Sequence, residues 1–217
     1  MRRPVPPCPV GFFAARKPEG SYHHGNLKET LLDAAETLIA QRGPAGLSLS
    51  EMARMAGVST AAIYRHYADL GALIGAVARR GFEDFSLRLR AAGAASGNGP
   101  AGFRGMGAAY LAFARARPGA YAAMFSSTIT QTDPELIRAG EAAFQTLVQG
   151  LAGALAGAGV AAQEGLPLAV QIWSLAHGVA TLEQSGRLSP ATGVVPEQVL
   201  DDGVAAIIRA AVARARP

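Results

Sequence analysis

The chain has 217 residues, of which 50% are hydrophobic, and its 20 Lys and Arg against 16 Asp and Glu give a net charge of +4. This length and composition are enough for a sizeable hydrophobic core. The single cysteine, Cys8, excludes an internal disulfide and is typical of a reducing cytoplasm. Glycine, proline or charge interrupts each apolar stretch before the roughly 18 residues that a membrane span needs, so we expect a soluble cytoplasmic protein without a membrane partner.

The net charge is located entirely in the N-terminal part of the chain. Residues 1–92 hold 12 Lys and Arg against 8 Asp and Glu, whereas residues 93–217 hold 8 of each. A basic end indicates an anionic partner, but an asymmetry of this size also arises by chance. Charge alone therefore leaves nucleic-acid binding open.

The first 20 residues are a proline-rich segment. Prolines break the apolar run that follows Arg2-Arg3, and the basic pair Arg16-Lys17 comes directly after it. Both features argue against a signal peptide, and we expect residues 1–20 to be a disordered tail.

Capping signals predict two helices in the segment that follows. The first starts after Asn26, a candidate N-cap, and ends at Gly43-Pro44. The second starts at Ser48, whose hydroxyl can cap the helix while Glu51 occupies the reciprocal position, and it stops at Gly57.

Two further helices are predicted before residue 91. Ser59 caps a third, short helix that ends near Tyr67, and Asp69 can cap a fourth. The fourth helix is long and places apolar residues along one face, namely Leu70, Leu73, Ile74, Val77, Gly81 and Phe85.

The segment AAGAASGNGPAG (91–102) is rich in Gly and small residues, which predicts a loop and a boundary between two functional regions. A phosphate-binding loop is rejected there, because no strand precedes it and the Lys-Ser/Thr of a Walker motif is absent. Beyond it the pattern predicts helices at about 102–116, 118–127, 134–157, 162–185 and 196–215. Alternating runs typical of strands are missing, so the expected fold class is all-α.

The predicted helix at 162–185 carries two apolar stripes and therefore needs two partners. One stripe consists of Leu166, Val170, Trp173, His177 and Ala180. The other indicates a dimer interface, which the last helix completes; its residues are Leu168, Ile172, Leu175, Val179 and Leu182, with Val204 and Ile208. A fully buried central helix within one subunit is the alternative.

The second and third helices, joined by a turn at Ala56-Gly57-Val58, have the arrangement of a helix-turn-helix. Gly57 suits a turn position that favours a positive φ. Polar groups able to reach phosphates or base edges interrupt the third helix at Thr60, Tyr64, Arg65 and His66. An ordinary surface helix could carry the same residues, so spacing alone leaves both interpretations open.

The segments YHHGNLKETLLDAAETLIAQRG (22–43) and LSLSEMARMAGVSTAAIYRHYADLGAL (47–73) resemble the N-terminal domain of TetR-family transcriptional regulators. The resemblance includes Met52-Ala53, the Ala-Gly-Val-Ser turn at 56–59, and the ending Tyr64, His66 and Tyr67. Trp173, His177 and Gly178 are similar to a subfamily with a so-called WHG regulatory domain. The resemblance implies an all-α, TetR-like fold with a three-helix DNA-binding domain at 21–68 and a larger ligand-binding and dimerisation domain at 69–217.

The resemblance also implies which residues contact DNA. Thr60, Ala61 and Ala62 are expected at the bases, Tyr64, Arg65 and His66 at bases or phosphates, and Ser48 at a phosphate. Ser50 is also expected in the interface, and Lys28 is expected to replace a phosphate contact of the family that this chain lacks. Such sequences commonly have a Lys shortly after the Tyr-x-His-aromatic ending. This chain has Leu70 there, so one phosphate contact of the family is missing.

The C-terminal domain is predicted to enclose a mainly apolar cavity, because its large side chains stand among many Ala and Gly. The predicted lining is Phe103, Met106, Tyr110, Phe113, Met124, Phe125, Phe144, Trp173 and His177. We expect an apolar ligand with one polar group, and we expect His177 to contact that group. No cofactor or metal ion is expected, since the adjacent His23-His24 point apart and have no third ligand near in sequence.

An enzyme is the competing class of function. Ser48 and Ser50 lack the second glycine of a nucleophile elbow, and Ser174, His177 and Glu183 form no convincing site. We therefore expect a homodimeric, ligand-responsive DNA-binding regulator, in the family's usual form a repressor that a small molecule releases from a palindromic operator. An activator, or a TetR-like protein that has lost its operator, is the alternative.

Overall fold

The computed structural model describes residues 27–127, 133–188, 191 and 193–215. These residues form α-helices and short 3₁₀ turns without a strand, which confirms the all-α prediction; the helices are α1 (Leu27–Arg42), α2 (Leu49–Ala56), α3 (Thr60–Tyr64), α4 (Leu70–Ala95), α5 (Gly99–Ala116), α6 (Pro118–Met124), α7 (Pro134–Ala154), α8 (Gly165–Gln184) and α9 (Pro196–Ala215). The tail predicted at 1–20, the N-cap Asn26 and His23-His24 lie outside the described residues.

Local signals position the ends of α1 and α2 and the starts of α3 and α4 where the sequence predicts them, whereas α3 ends at Tyr64, before the predicted end near Tyr67. Gly57 ends α2 with φ 68°, a left-handed conformation that glycine adopts without strain. The Ser59 hydroxyl accepts a hydrogen bond from Ala62 N at 3.3 Å, and the Asp69 carboxylate accepts one from Ala72 N at 2.7 Å. These two caps confirm the predicted starts of α3 and α4.

The capping box predicted at Ser48 and Glu51 is wrong. The Ser48 side chain makes no capping hydrogen bond; its Oγ lies 3.0 Å from Ser50 Oγ instead. Glu51 forms a bidentate ion pair with Arg42, the last residue of α1. Such a charge-assisted fork is stronger than one contact to a backbone N–H, so it ties α2 to α1.

The loop predicted at 91–102 is also wrong, because α4 continues to Ala95 and α5 begins at Gly99. The glycines there serve helix packing. A Cβ on Gly102 would lie 2.7 Å from the carbonyl oxygen of Gly93, so α4 and α5 approach each other more closely than larger residues allow. The connection itself is only Ser96–Asn98.

One apolar core runs through the helices and α4 extends along it. The first part of α4 packs Leu73, Ile74 and Val77 with α1, and α4 also contacts α5, α6 and α7. On the far side α8 contacts α7, α5 and α9. Because α4 belongs to both ends of this core, it links the helix-turn-helix to the C-terminal helices.

The segment Ala162–Gln184 is long and apolar enough to cross a membrane by length and composition, so the expectation that no stretch reaches this length was wrong. The core helix of a soluble protein meets the same criterion. Only 33% of its most apolar window is buried within this chain. The segment therefore presents an apolar surface to its surroundings.

Candidate DNA-binding surface and ligand cavity

The outer face of α3 is the exposed part of the helix-turn-helix. Tyr64 is 54% exposed, Ala61, Arg65 and His66 are exposed, and Thr60 is half-buried. Within the part of the chain that the structure describes, the side chains of Tyr64, Arg65 and His66 make no hydrogen bond or ion pair. This face is therefore available to a partner, as a recognition helix requires.

Ala62 does not belong to this face. It is 5% exposed and lies in the core beside Ile63, so it cannot contact a base, and its expected place at the bases is corrected. Its role is structural, since a small residue there lets α3 pack closely on the first helices.

The residues expected at phosphates lie around the start of α2 and on α1. The Ser48 and Ser50 hydroxyls meet at the N-terminus of α2, where free backbone N–H groups and the helix dipole favour an anion. Lys28 is exposed in the first turn of α1. Leu70 is half-buried and packs against the core, so the first turn of α4 offers no cation at that position.

A cluster of ion pairs joins α1 to α4 and to the beginning of α6; we call Asp33, Glu36, Arg80, Asp84 and Arg117 the Glu36 cluster. Arg80 donates to Asp33 at 2.7 Å and to Glu36 at 2.9 Å. Arg117 donates to Glu36 from Nε at 2.8 Å and to Asp84 at 2.7 Å. The two arginines thus bind the same carboxylate and both donate to its Oε2.

The ionisation of the carboxylates follows from these partners. Burial alone would raise the pKa of Glu36, but hydrogen bonds and charges of Arg117 and Arg80 outweigh it and lower the pKa. Burial would also raise the pKa of Asp84, but hydrogen bonds and charges of Arg88 and Arg117 outweigh it and lower the pKa. Both groups are charged at neutral pH, and the cluster is fully ionic.

Backbone contact reinforces the same junction. A Cβ on Gly119, in the first turn of α6, would come within 2.0 Å of the Glu36 carbonyl oxygen. Only glycine permits this approach, so α6 begins directly against α1.

The other end of α6 lines a cavity of about 390 Å³, which we call the central cavity. Five of the predicted lining residues border it: Tyr110, Met124, Phe125, Phe144 and Trp173. Residues that the sequence did not single out complete the wall, namely Phe82, Phe85, Leu89, Gly140, Ala143, Leu147 and Val170. Trp173 is 37% exposed, so the cavity opens to the surface near α8.

Four predicted lining residues lie elsewhere. Phe113 is 1% exposed and packs edge-on against Phe85, with ring centroids 5.2 Å apart, because it faces the interior of the helix bundle. Phe103 and Met106 border other cavities near α9 and α7. His177 lies behind Phe125, with ring centroids 4.4 Å apart, and does not border the central cavity.

Three polar side chains form a chain of hydrogen bonds behind this wall. The Tyr121 hydroxyl lies 2.8 Å from His177 Nδ1 and 3.3 Å from the Tyr110 hydroxyl. Burial lowers the pKa of His177, so the imidazole is neutral at neutral pH. Burial raises the pKa of Tyr110, whose side chain borders the central cavity, so its hydroxyl is a neutral hydrogen-bonding group.

The α8 stripe predicted for the dimer interface lies largely inside the chain. Leu168, Ile172 and Val179 are buried within the chain, at 1%, 3% and 3% exposure, because they pack against α5, α7 and α9. Val204 and Ile208 of α9 border a cavity beneath that helix. Leu175 packs on Gly203, where a Cβ would come 2.5 Å from its Cδ2. Of the predicted set, Leu182 is an exposed residue.

The outward surface of α8 and α9 contains small residues beside large exposed apolar ones such as Leu166 and Val170. On α8 it includes Ser174 and Gly178, next to the exposed Leu182, and on α9 it includes Ala206 and Ala210. A Cβ on Gly178 would have no neighbour within 4 Å. Small side chains of this kind let two helix pairs approach closely.

Two family models match the chain in the regions that hold these features. The model described as bacterial regulatory proteins, tetR family, matches residues 31–77, and the model described as tetracyclin repressor-like, C-terminal domain, matches residues 103–210. The chain belongs to the TetR family of transcriptional regulators. In this TetR-family protein the first match covers the helix-turn-helix, and the second contains Trp173, His177 and Gly178.

Individual relatives agree with the TetR assignment. An uncharacterised HTH-type transcriptional regulator of Mycobacterium tuberculosis is 26% identical over 159 residues, which cover 73% of this chain and 71% of the relative. A solved protein of unknown function from Rhodococcus sp. RHA1 is 30% identical, with a TM-score of 0.75 over 89% of this chain and 100% of that one. A tetR-family regulator from Streptomyces coelicolor has the same fold, with a TM-score of 0.67 and 21% identity over 88% of this chain and 83% of that one.

Proposed function

We propose that this TetR-family regulator is a cytoplasmic homodimer that represses transcription and leaves its operator when a small molecule fills the central cavity. The observation that carries the proposal is the position of α6. Its C-terminal end supplies Met124 to the cavity, and its first turn touches α1 at Gly119. A ligand that displaces α6 therefore pushes on the DNA-binding helices.

The DNA-binding part extends over residues 21–68 and the ligand-binding and dimerisation part over 69–217. Contacts to bases come from Thr60, Ala61, Tyr64, Arg65 and His66, which line the outer face of α3. Contacts to phosphates come from Lys28, Ser48 and Ser50. An operator with two half-sites about 34–36 Å apart would match two recognition helices related by a twofold axis.

The dimer forms through α8 and α9, by the outward surface that contains Ser174, Gly178, Leu182, Ala206 and Ala210. Two copies of this helix pair make a four-helix interface. Support comes from the apolar character of α8, which leaves much of its length exposed within one subunit. Ala and Gly at the contact let the helices of the two copies approach closely.

The ligand is apolar with one hydrogen-bonding group. The cavity wall is built of aromatic and aliphatic side chains, and Tyr110 supplies the polar contact. No cationic or anionic side chain borders this cavity among the described residues. A neutral aromatic or lipid-like compound meets these conditions, whereas a sugar or nucleotide would leave polar groups unpaired.

The proposal is tested by selecting DNA from a random pool, measuring its retardation at two salt concentrations, and repeating the measurement with naphthol. Retardation that naphthol weakens supports a ligand-released regulator. Failure to select any sequence favours the alternative that operator binding has been lost, which Leu70 in place of a basic residue suggests. Retardation unaffected by naphthol, with naphthol shown to be bound, contradicts the release mechanism.

A further inference from the structure

A second cavity lies beneath α9 and is distinct from the central cavity. It has a volume of about 270 Å³, and we call it the α9 cavity. Its wall is apolar and includes Phe103, Met106, Ile172, Leu200, Val204 and Ile208. Leu89 and Leu147 border both cavities and form the partition between them. Trp173 and Tyr110 do not border the α9 cavity.

The charged side chains at this cavity are Arg104, Asp201 and Arg209. Arg104 Nε lies 3.9 Å from Asp201 Oδ2, at the limit of an ion pair, and the Arg104 side chain is 73% exposed. Arg209 is exposed and has no ion pair or hydrogen bond to its side chain among the described residues. The three groups together carry one net positive charge beside an apolar cavity.

We propose that the α9 cavity binds a medium-chain carboxylate, with its alkyl chain among Ile172, Val204 and Ile208 and its carboxylate at Arg209 and Arg104. A guanidinium without a partner offers a fork of donors to a carboxylate, and Arg104 adds a second once its long contact to Asp201 loosens. This site is additional to the central cavity and does not depend on DNA release.

Other ligand classes fit the α9 cavity less well. A sugar would bury hydroxyls against a wall that offers them no hydrogen bonds, which costs free energy for each unpaired group. A cation would be repelled by the two arginines. The volume is slightly below the range of roughly 300–1,000 Å³ for small-molecule sites, so a single slender chain fits better than a fused ring system.

The test compares decanoate with decanol, which has the same chain without the charge, by calorimetric titration below the concentration at which decanoate forms micelles. We expect decanoate to bind saturably and more tightly than decanol. Arg209→Gln should weaken decanoate binding about threefold, as for an exposed ion pair, and leave decanol binding unchanged. Arg187→Gln, at an exposed arginine after α8, is the matched control and should change neither.

Two cavity-filling variants locate the bound chain. Val204→Phe fills the α9 cavity and should abolish decanoate binding, whereas Gly140→Val narrows the central cavity and should not. The proposal is overturned if decanoate fails to bind the native protein. It is equally overturned if Gly140→Val abolishes binding while Val204→Phe does not. If Val204→Phe does not fold, the comparison of Arg209→Gln with Arg187→Gln tests the proposal. Equal decanoate binding by these two variants would then overturn it.

Discussion

Arg117, at the start of α6, donates a hydrogen bond from Nε to Glu36 of α1 at 2.8 Å, and thereby joins α6 to α1. Arg80 of α4 donates to the same carboxylate at 2.9 Å. Side chains of Glu36, Arg80 and Arg117 are 16%, 21% and 23% exposed, so water screens these charges only in part. The relative position of α1, α4 and α6 therefore depends on Glu36, because its carboxylate binds both arginines.

Replacing Glu36 should destabilise the protein. Glu36→Gln leaves Arg80 and Arg117 half-buried beside a neutral amide, and we expect a loss of about 1–3 kcal/mol in the free energy of unfolding. Urea denaturation measures it. Glu141→Gln, at an exposed glutamate of α7, is the control and should change the value by less than about 0.5 kcal/mol. Equal effects of the two substitutions would show that the Glu36 cluster contributes nothing to the free energy of unfolding.

Acid should weaken the native protein in two stages. His177 has a lowered pKa when folded, so below its usual value of 6.5 the unfolded chain takes up a proton that the folded one does not, and stability falls. Glu36 and Asp84, whose pKa values are also lowered, stabilise the fold above their usual range of about 4, and this stability is lost as pH falls through their folded pKa values.

Denaturation curves between neutral pH and pH ~2 measure both stages. His177→Phe should flatten the first stage, and Glu36→Gln should flatten the second. A wild-type stability that rises as the pH is lowered would contradict the sign of all three shifts.

The end of α2 and the starts of α3 and α4 could be predicted because their signals are local. Gly57, Ser59 and Asp69 act on backbone groups within four residues, and these contacts need no knowledge of the tertiary structure. The loop at 91–102 was mispredicted for the opposite reason. Gly93 and Gly102 are adjacent only after α4 and α5 have packed, so sequence alone could not distinguish packing glycines from flexible ones.

The candidate sites could be predicted only in part, because the rest of each site also depends on how the helices pack. Alternate apolar stripes show that α8 has two partners, but periodicity does not say which residues face α9. Leu168 of the predicted dimer stripe is buried within the chain, whereas Leu182 of the same stripe is exposed. Phe82 and Phe85 of α4 border the central cavity, although the apolar face of that helix looked sufficient for ordinary core packing. His177 was placed in the cavity because it lies one turn from Trp173, and Phe125 separates it from the opening.

Arg65 should contribute directly to DNA binding. It is exposed at the end of α3 and has no partner for its guanidinium among the described residues. Arg65→Ala should weaken binding to a selected operator by about 1–3 kcal/mol if it reads a base. Fluorescence anisotropy with labelled DNA measures the change, and Arg138→Ala on α7 is the control. An unchanged dissociation constant would show that Arg65 does not contact the DNA.

Gly178 offers a way to test the dimer without disturbing the subunit. Among the described residues, a Cβ at this position meets no atom within 4 Å outside the adjacent backbone of its own helix, and Glu is a better helix former than Gly. Gly178→Glu should therefore yield helical monomers, seen by sedimentation and circular dichroism, because it places a charge in the four-helix contact. The control is Ala152→Glu, at an exposed position of α7 outside the proposed interface, and this variant should remain dimeric. A native protein that sediments as a monomer at micromolar concentration would argue against the interface.

Tyr110 should recognise the polar group of a ligand in the central cavity. Trp173, the only tryptophan of the chain, borders that cavity, so naphthol binding should quench its fluorescence. Tyr110→Phe removes one hydroxyl and should weaken naphthol binding by about 0.5–1.5 kcal/mol, while naphthalene, which has no hydroxyl, should bind the two proteins equally.

Tyr64→Phe, on the distant α3 surface, provides the control for the loss of a tyrosine hydroxyl and should bind naphthol as the native protein does. A comparable loss for naphthalene in Tyr110→Phe would mean that the substitution alters the shape of the cavity, since naphthalene cannot accept or donate the hydrogen bond. Unquenched Trp173 fluorescence at saturating naphthol would place the ligand outside the central cavity, because every ligand enclosed there contacts the wall that Trp173, Phe125 and Phe144 form.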